Sequence, residues 1–109
     1  MCGRYMLTVP GHTIAERFHL EVVPEIGPRY NIAPTQGVLC VRVSDNGTRE
    51  GVNLHWGLIP FWAKDPSMGS RMINARSESV QEKPAFRAAF ERRRCLVPAD
   101  GFYEWQQTG

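Results

Sequence analysis

A hairpin turn in the middle of the chain is the feature that most constrains its fold. The pair Asn46-Gly47 follows an apolar run, Gly37–Val43, whose β-branched content is typical of a buried strand. An Asn-Gly pair favours a tight turn because both residues accept the positive φ angles that such turns need. The sequence therefore predicts an antiparallel hairpin, with the returning strand over about residues 48–56.

The rest of the chain predicts short strands and two helices, which together indicate a β-rich α+β fold. One helix is expected to start from a capping box with Thr13 at the N-cap and Glu16 three residues later. A second is expected over residues 77–90, with a break at Pro84. A loop rather than a helix is expected over residues 57–68. The further expected strands are residues 3–9, 71–75, 94–97 and 102–106.

Length and composition favour a single soluble domain of 109 residues, with a net charge of +2 that permits nucleic-acid binding without requiring it. No apolar run approaches the ~20 residues of a membrane span, so a cytoplasmic location is expected. Three cysteines at irregular spacing favour a reducing compartment, and Cys40 and Cys95 are expected to be buried. Neither a metal site nor a cofactor is predicted.

The last residues of the sequence resemble the start of a hairpin turn that has no second arm. Thr108-Gly109 follows the expected final strand. This pattern predicts that residues 1–109 are the N-terminal portion of one domain that is incomplete at its C-terminus. A strand without its partner exposes backbone donors and acceptors, so an open edge near Glu104 favours self-association.

Cys2 is the candidate nucleophile of the chain. If Met1 is removed, Cys2 carries a free α-amine beside a thiol, and both groups are nucleophiles. The amine of such an aminothiol condenses with an aldehyde to an imine, and the thiolate then closes a five-membered thiazolidine ring. The residue therefore predicts reaction with an aldehyde.

Three polar residues are further candidates for a site. On the expected strand 71–75 and its continuation, Asn74 and Arg76 are two residues apart and would share a face, where an arginine fork suits phosphate. Alternatively, they are a loop asparagine and a solvent-exposed arginine. Glu104 lies between aromatic residues, which suits general acid–base chemistry. Alternatively, it faces outward on a strand that buries Tyr103 and Trp105.

Aromatic and basic residues together suggest a surface for nucleic acid. Aromatic rings can stack on bases and arginines can bind phosphates, although packing in the core explains most tryptophans of a small domain. A run of arginines at residues 92–94 has the same two readings, phosphate contact or a solvated face. The residues considered for the stacking and phosphate surface are Trp56, Phe61, Trp62, Trp105, Arg4, Arg71 and Arg76.

Five sequence blocks resemble, in order, the SOS-response-associated peptidase (SRAP) family. They cover residues 1–5, 29–34, 56–62, 73–78 and 94–105. The resemblance implies a β-rich α+β domain with a barrel-like mixed sheet, flanking helices and a positively charged groove for single-stranded DNA. It also implies covalent attachment to abasic sites as a thiazolidine, which shields the lesion during the DNA damage response. A bacterial member would be associated with the nucleoid.

The resemblance also implies roles for individual residues. Cys2 would be the nucleophile, Asn74 would hold the N-terminal amine or the sugar, and Glu104 would move protons. DNA contacts would come from Arg4 and Arg76 on phosphates, from Trp62 and Trp105 on bases, and from Arg71.

Three functions are left open by the resemblance. The leading one is an abasic-site sensor that crosslinks to DNA, with lyase-like chemistry. The others are a thiol-dependent peptidase that removes the protein's own N-terminal residue and a non-catalytic fragment that binds single-stranded DNA. The family's later active-site histidine, in a His-Asp-Arg-type segment, matches none of His12, His19 and His55.

Overall fold

The computed structural model describes residues 2–106, and within them it confirms an α+β fold with short elements. No helix in this part of the chain is long and apolar enough to cross a membrane. The strands are β1 (Tyr5–Leu7), β2 (Arg29–Ile32), β3 (Gly37–Val43), β4 (Arg49–His55) and β5 (Gly101–Phe102). The helices are α1 (Gly11–Phe18), a 3-10 helix (Pro66–Arg71) and α2 (Arg87–Arg92).

The predicted hairpin is confirmed. Strands β3 and β4 pair antiparallel from Gly37 opposite His55 to Val43 opposite Arg49. Its turn differs from the expected one, because only Gly47 of the Asn-Gly pair has a positive φ, at 86°. The loop is thus closed with a left-handed glycine next to β4, the geometry of a three-residue hairpin loop rather than of a two-residue one.

A second sheet has the order β2-β1-β5, so β1 is paired on both edges. Tyr5 lies opposite Ile32 on one side and opposite Phe102 on the other. Its ring meets Trp56 edge-on at a centroid distance of 5.4 Å. The two sheets are separate among the described residues, so these residues alone do not close a barrel.

The core lies between these sheets and α1. It consists of Tyr5, Leu7, Ile14, Ala15, Leu20, Ile32, Val38, Cys40 and Val41. Burial, and secondly the neighbouring Cys95 thiol, raises the pKa of Cys40 to about 12, so this thiol stays protonated at neutral pH. The prediction that Cys40 is buried is confirmed, but the same prediction for Cys95 is wrong, since Cys95 is exposed.

Helix α1 begins three residues earlier than the capping box predicted. Pro10 occupies the N-cap with a φ of −65°, and no side chain caps the helix. The Thr13 amide donates to the carbonyl of Pro10 at 3.0 Å, so Thr13 lies inside the first turn. The proline therefore sets the helix start, because its ring already fixes φ.

Several predicted elements are shorter than expected or absent. Of the expected helix 77–90 only its end is helical, as α2, because Pro84 precedes it. Residues 94–97 supply an isolated bridge at Leu96, and 102–106 supply only the end of β5. The expected loop 57–68 ends in the 3-10 helix, whose start is capped by the Asp65 carboxylate accepting from the Ser67 amide at 3.0 Å.

A close approach of two glycines fixes the segment after β4. Gly57 has a φ of 123°, and a Cβ built there would lie 2.3 Å from the carbonyl oxygen of Gly69. The adjoining Leu58 amide donates to the carbonyl of Met72 at 3.0 Å. The chain beyond the 3-10 helix is therefore held against the end of β4 by contacts that leave no room for a side chain.

We expect Gly57→Ala to destabilise the protein by about 1–3 kcal/mol, because the new Cβ meets backbone and strains a positive φ. Gly27→Ala is the matched control, since a Cβ at Gly27 meets nothing within 4 Å. Urea unfolding of both variants measures the difference. Equal midpoints would show that the close approach does not constrain the fold.

Candidate functional site

Cys2 and Asn74 meet at the N-terminal end of β1. The Asn74 Nδ2 donates to the carbonyl oxygen of Cys2 at 2.8 Å, across 72 residues of sequence. Cys2 is partly buried against the core, and its Sγ lies 3.6 Å from the carbonyl oxygen of Arg4. Asn74 thus holds the backbone of Cys2, and the Cys2 thiol makes a weak contact to a carbonyl oxygen.

The placement of Asn74 corrects the sequence interpretation. Residues 71–75 form no strand, because Arg71 ends the 3-10 helix and the following residues are irregular. The argument that Asn74 and Arg76 share a strand face is therefore wrong. Asn74 is positioned instead by its neighbour Ile73, whose carbonyl accepts from Trp56 Nε1 at 2.9 Å.

Arg4 joins the site to β2. Its Nη1 donates to Asn31 Oδ1 at 3.1 Å, and its carbonyl accepts from the Tyr103 amide at 3.0 Å. The Tyr103 hydroxyl in turn donates to the carbonyl of Tyr30 at 2.8 Å. Sequence reasoning gave no role to Asn31, although it lies in one of the five family-like blocks.

Glu104 is the next residue after Tyr103, whose amide bonds the carbonyl of Arg4. The Tyr103–Arg4 hydrogen bond continues the register of β1 and β5 toward the N-terminus, so Glu104 comes next at the Cys2 end of the sheet. Its side chain is exposed. The alternative in which Tyr103 and Trp105 are buried around it is wrong, since they are 47% and 102% exposed.

The remaining predicted residues form exposed surface. Arg71 and Arg76 are exposed, and within residues 2–106 their guanidinium groups have neither a hydrogen bond nor an ion pair. Trp62 is 48% exposed, so core packing accounts neither for it nor for Trp105. Core packing does account for Trp56, which contacts Tyr5.

Asp100, which precedes β5, fixes the position of this strand against β1. Asp100 accepts hydrogen bonds from both the amide and the hydroxyl of Thr8, at the other end of β1. These bonds favour the charged carboxylate and lower the pKa of Asp100. Together with the Tyr103–Arg4 bond, they hold both ends of the short β1–β5 pair.

Among the described residues, no three His, Cys, Asp or Glu side chains cluster as metal ligands. Cys2, with its thiol, lies beside the Asn74 amide, the segment that carries Glu104, and Arg4. Such a set can hold an amine and a thiol together and exchange protons with them.

Comparison with known proteins identifies the family. The model of the SOS response associated peptidase (SRAP) family matches residues 1–109. The chain belongs to this family, as the five sequence blocks predicted.

Curated relatives of the chain are named for abasic sites. The abasic site processing protein YoqW of Bacillus subtilis is 44% identical over 110 residues, which cover 98% of this chain and 49% of YoqW. The mouse abasic site processing protein HMCES is 40% identical over 91 residues, covering 73% of this chain and 26% of HMCES. The chain thus spans about half the length of its Bacillus relative.

Solved structures share the fold. A phage-related protein from Bordetella bronchiseptica is 29% identical, with a TM-score of 0.78 over 99% of this chain and 50% of that protein. A protein from Bacteroides thetaiotaomicron gives a TM-score of 0.76 at 23% identity, again over 99% of this chain and 50% of its own. The described architecture therefore matches about half of each of these two solved structures.

We expect Asn74→Asp to release the N-terminal segment, because the lost donor leaves a carboxylate facing the carbonyl of Cys2. The loss of one hydrogen bond, about 1 kcal/mol, corresponds to a roughly five-fold larger released fraction. Labelling of the Cys2 thiol, measured in a Cys95→Ser background, should accelerate by that factor. The control is Asn53→Asp, which introduces the same charge at an exposed position of β4. An equally large acceleration of labelling in this control would show that the added charge, and not the lost hydrogen bond, is the cause.

Proposed function

We propose that this chain supplies the reactive half of an abasic-site processing protein that crosslinks to the lesion through Cys2. The observation that carries the proposal is the hydrogen bond from Asn74 to Cys2, which fixes the N-terminal residue. The names of the curated relatives supply the substrate, an abasic site in DNA. An abasic deoxyribose in its ring-opened form presents an aldehyde, which is the partner that an aminothiol requires.

The proposed reaction has two bond-forming steps once Met1 is removed. The α-amine of Cys2 attacks the sugar aldehyde carbon and water leaves, giving an imine. The Cys2 thiolate then adds to the imine carbon, and the imine nitrogen takes up a proton, giving a thiazolidine. Asn74 holds Cys2 while both steps occur, and Glu104 carries protons to the departing hydroxyl and the nitrogen.

The DNA around the lesion is proposed to be single-stranded. Bases of a single strand can stack on exposed aromatic rings, and Trp62 and Trp105 are both exposed. Arg71 and Arg76 are exposed, and their guanidinium groups have no partner in the part of the chain that the structure describes, so their charge is available to phosphates. Arg4, which is fixed by Asn31, would contact the phosphate nearest the reactive residue.

We expect Cys2→Ser to abolish the heat-stable adduct with single-stranded DNA that carries one abasic site. The variant keeps the α-amine, so it can form an imine but not a thiazolidine. Borohydride should therefore still trap it on the DNA, as a reduced amine visible by gel electrophoresis. Cys95→Ser, which removes an exposed thiol instead of the partly buried thiol of Cys2, should leave the heat-stable adduct intact.

Two outcomes would contradict the mechanism. One is the absence of any adduct from wild-type protein whose intact mass shows that Met1 is gone. The other is a heat-stable adduct of Cys2→Ser without borohydride. Glu104→Gln is expected to slow adduct formation by about 10²-fold, the lower part of the range for a positioned proton donor.

The peptidase alternative uses the same residues. Removal of Met1 by the protein itself predicts that Glu104→Gln retains Met1 in cells lacking methionine aminopeptidase, whereas the wild type loses it. The third alternative, a non-catalytic fragment, predicts binding to single-stranded DNA that is fully reversed by salt. Intact mass and the heat-stable adduct distinguish all three.

We expect Arg76→Ala to weaken binding to single-stranded DNA and to reduce the slope of log K against log salt by about 0.7, the value for one lost phosphate contact. Arg17→Ala, on the exposed side of α1, removes the same charge elsewhere. Fluorescence anisotropy at several salt concentrations measures both slopes. An equal loss of affinity and of salt slope in the two variants would show that Arg76 acts only through the net charge of the protein.

The extent and setting of the domain are also proposals. We infer that residues 1–109 are the N-terminal portion of a single SRAP domain, consistent with a match to half of each solved structure. The proposed substrate favours a cytoplasmic location, associated with the nucleoid if the protein is bacterial. Self-association through the outer edge of β5 stays a prediction.

A further inference from the structure

Arg4 and Asn31 project from the same face of the three-stranded sheet, close to the reactive residue. Tyr5 and Ile32 lie opposite each other in this sheet, and both are buried. Successive residues of a strand point to opposite faces, so the side chains of Arg4 and Asn31 project from the outer face. Both residues are exposed. Because the Cys2 Sγ lies 3.6 Å from the carbonyl oxygen of Arg4, this pair borders the candidate nucleophile.

The hydrogen bond between the two side chains fixes the orientation of the Asn31 amide. Arg4 Nη1 donates to Asn31 Oδ1 at 3.1 Å. A guanidinium group can only donate, so the amide oxygen faces Arg4 and the amide hydrogens point elsewhere. Across residues 2–106 these hydrogens have no acceptor. Asn31 therefore holds the arginine with its oxygen and presents its nitrogen as a donor at the surface.

Arg4 itself keeps most of its donors for a ligand. Within the described residues its guanidinium group makes only the hydrogen bond to Asn31. Arg29 of the same sheet differs, because its two Nη atoms donate to the carbonyl of Gly37 and to Gln36 Oε1, both at 2.7 Å. The edge of Arg4 that carries Nε and Nη2 is therefore open, and such an edge matches two oxygens of a phosphate.

The acceptor that orients Arg4 is neutral, so the arginine keeps its full charge. Arg42 on β3 shows the opposite arrangement, since its Nε pairs with the Glu50 carboxylate at 3.0 Å. A carboxylate in place of the Asn31 amide would also hold Arg4, but its negative charge would compete with a phosphate for the guanidinium group. Asparagine instead combines a fixed guanidinium group with an intact positive charge, and it adds a donor of its own.

We propose that Arg4 and Asn31 form one phosphate subsite, in which Asn31 positions the guanidinium group and also donates to the phosphate that borders the abasic sugar. This inference rests on the proposed function, because its ligand is DNA with an abasic site. Arg4 follows Cys2 by two residues, so a phosphate held there keeps the sugar beside the α-amine and the thiol of Cys2. The subsite therefore favours an aldehyde within a DNA strand over a free aldehyde.

The test is a binding cycle that combines a change in the protein with a change in the DNA. The DNA is single-stranded and carries a tetrahydrofuran abasic analogue, which has no aldehyde and cannot crosslink. The phosphate on the 5′ or the 3′ side of the analogue is replaced by a neutral methylphosphonate. Fluorescence anisotropy measures the dissociation constants of the wild type and of Asn31→Ala for each DNA.

We expect Asn31→Ala to weaken binding to the DNA with intact phosphates about five-fold, the effect of one hydrogen bond. At one of the two positions, the methylphosphonate should weaken the wild type at least about three-fold more than it weakens Asn31→Ala, because the variant has already lost that contact. The matched control is Asn53→Ala, which truncates an exposed asparagine of β4 and should bind like the wild type.

Asn31→Asp separates the positioning of Arg4 from a merely structural bond. This variant keeps an acceptor for Arg4, so a structural role alone predicts wild-type affinity. The subsite predicts weaker binding than that of Asn31→Ala, because the carboxylate repels the phosphate and lacks the amide donor.

Two results would overturn the subsite. One is that the effects of Asn31→Ala and of the methylphosphonate are independent at both phosphates, and the other is wild-type affinity of Asn31→Asp. Since the analogue cannot react, both results are separate from failure of the proposed crosslinking, which would appear as a missing adduct on reactive DNA. Thiazolidine formation with glycolaldehyde, which has no phosphate, should be equally fast in Asn31→Ala and the wild type. A slower variant would show that Asn31 acts on Cys2 itself, which also contradicts the subsite.

Discussion

The pairing of β1 on both of its edges is the constraint on which the rest of the structure depends. Tyr5 lies between Ile32 and Phe102 and contacts Trp56, so one residue connects the sheet to the core. The residues just before it, Cys2 and Arg4, belong to the candidate site. A slip of one residue in this register would turn Tyr5 out of the core and move the N-terminus away from its partners.

The site is therefore assembled from segments that have little regular structure of their own. Asn74 lies in an irregular segment that is held by Trp56 and Leu58, the residues on either side of Gly57. These segments are held by the β2-β1-β5 sheet, by the contact of the Tyr5 and Trp56 rings and by the close approach of Gly57 to Gly69, rather than by a long helix. Such a scaffold positions one backbone carbonyl well while it leaves the surrounding cationic and aromatic side chains open to solvent.

The sequence predicts the local elements of this fold better than the long-range ones. The hairpin β3–β4 follows from a turn and its flanking residues, so its position was correctly predicted. Strand β2 was missed because three of its four residues are exposed, which leaves no alternating apolar pattern. Residues 71–75 were predicted as a strand but are irregular. The close contact of Gly57 with Gly69, which holds this part of the chain, cannot be read from the sequence. The meeting of Asn74 with Cys2 was anticipated only through the family resemblance.

The long sequence separation between Cys2 and its partners has a consequence for biosynthesis. The N-terminus leaves the ribosome first, and Asn74 follows only 72 residues later. Tyr103, whose amide bonds Arg4, is made later still. During synthesis the first residues therefore have none of these contacts. The order in which the chain is made thus leaves the N-terminal segment accessible until Asn74 and Tyr103 have been added and contact Cys2 and Arg4.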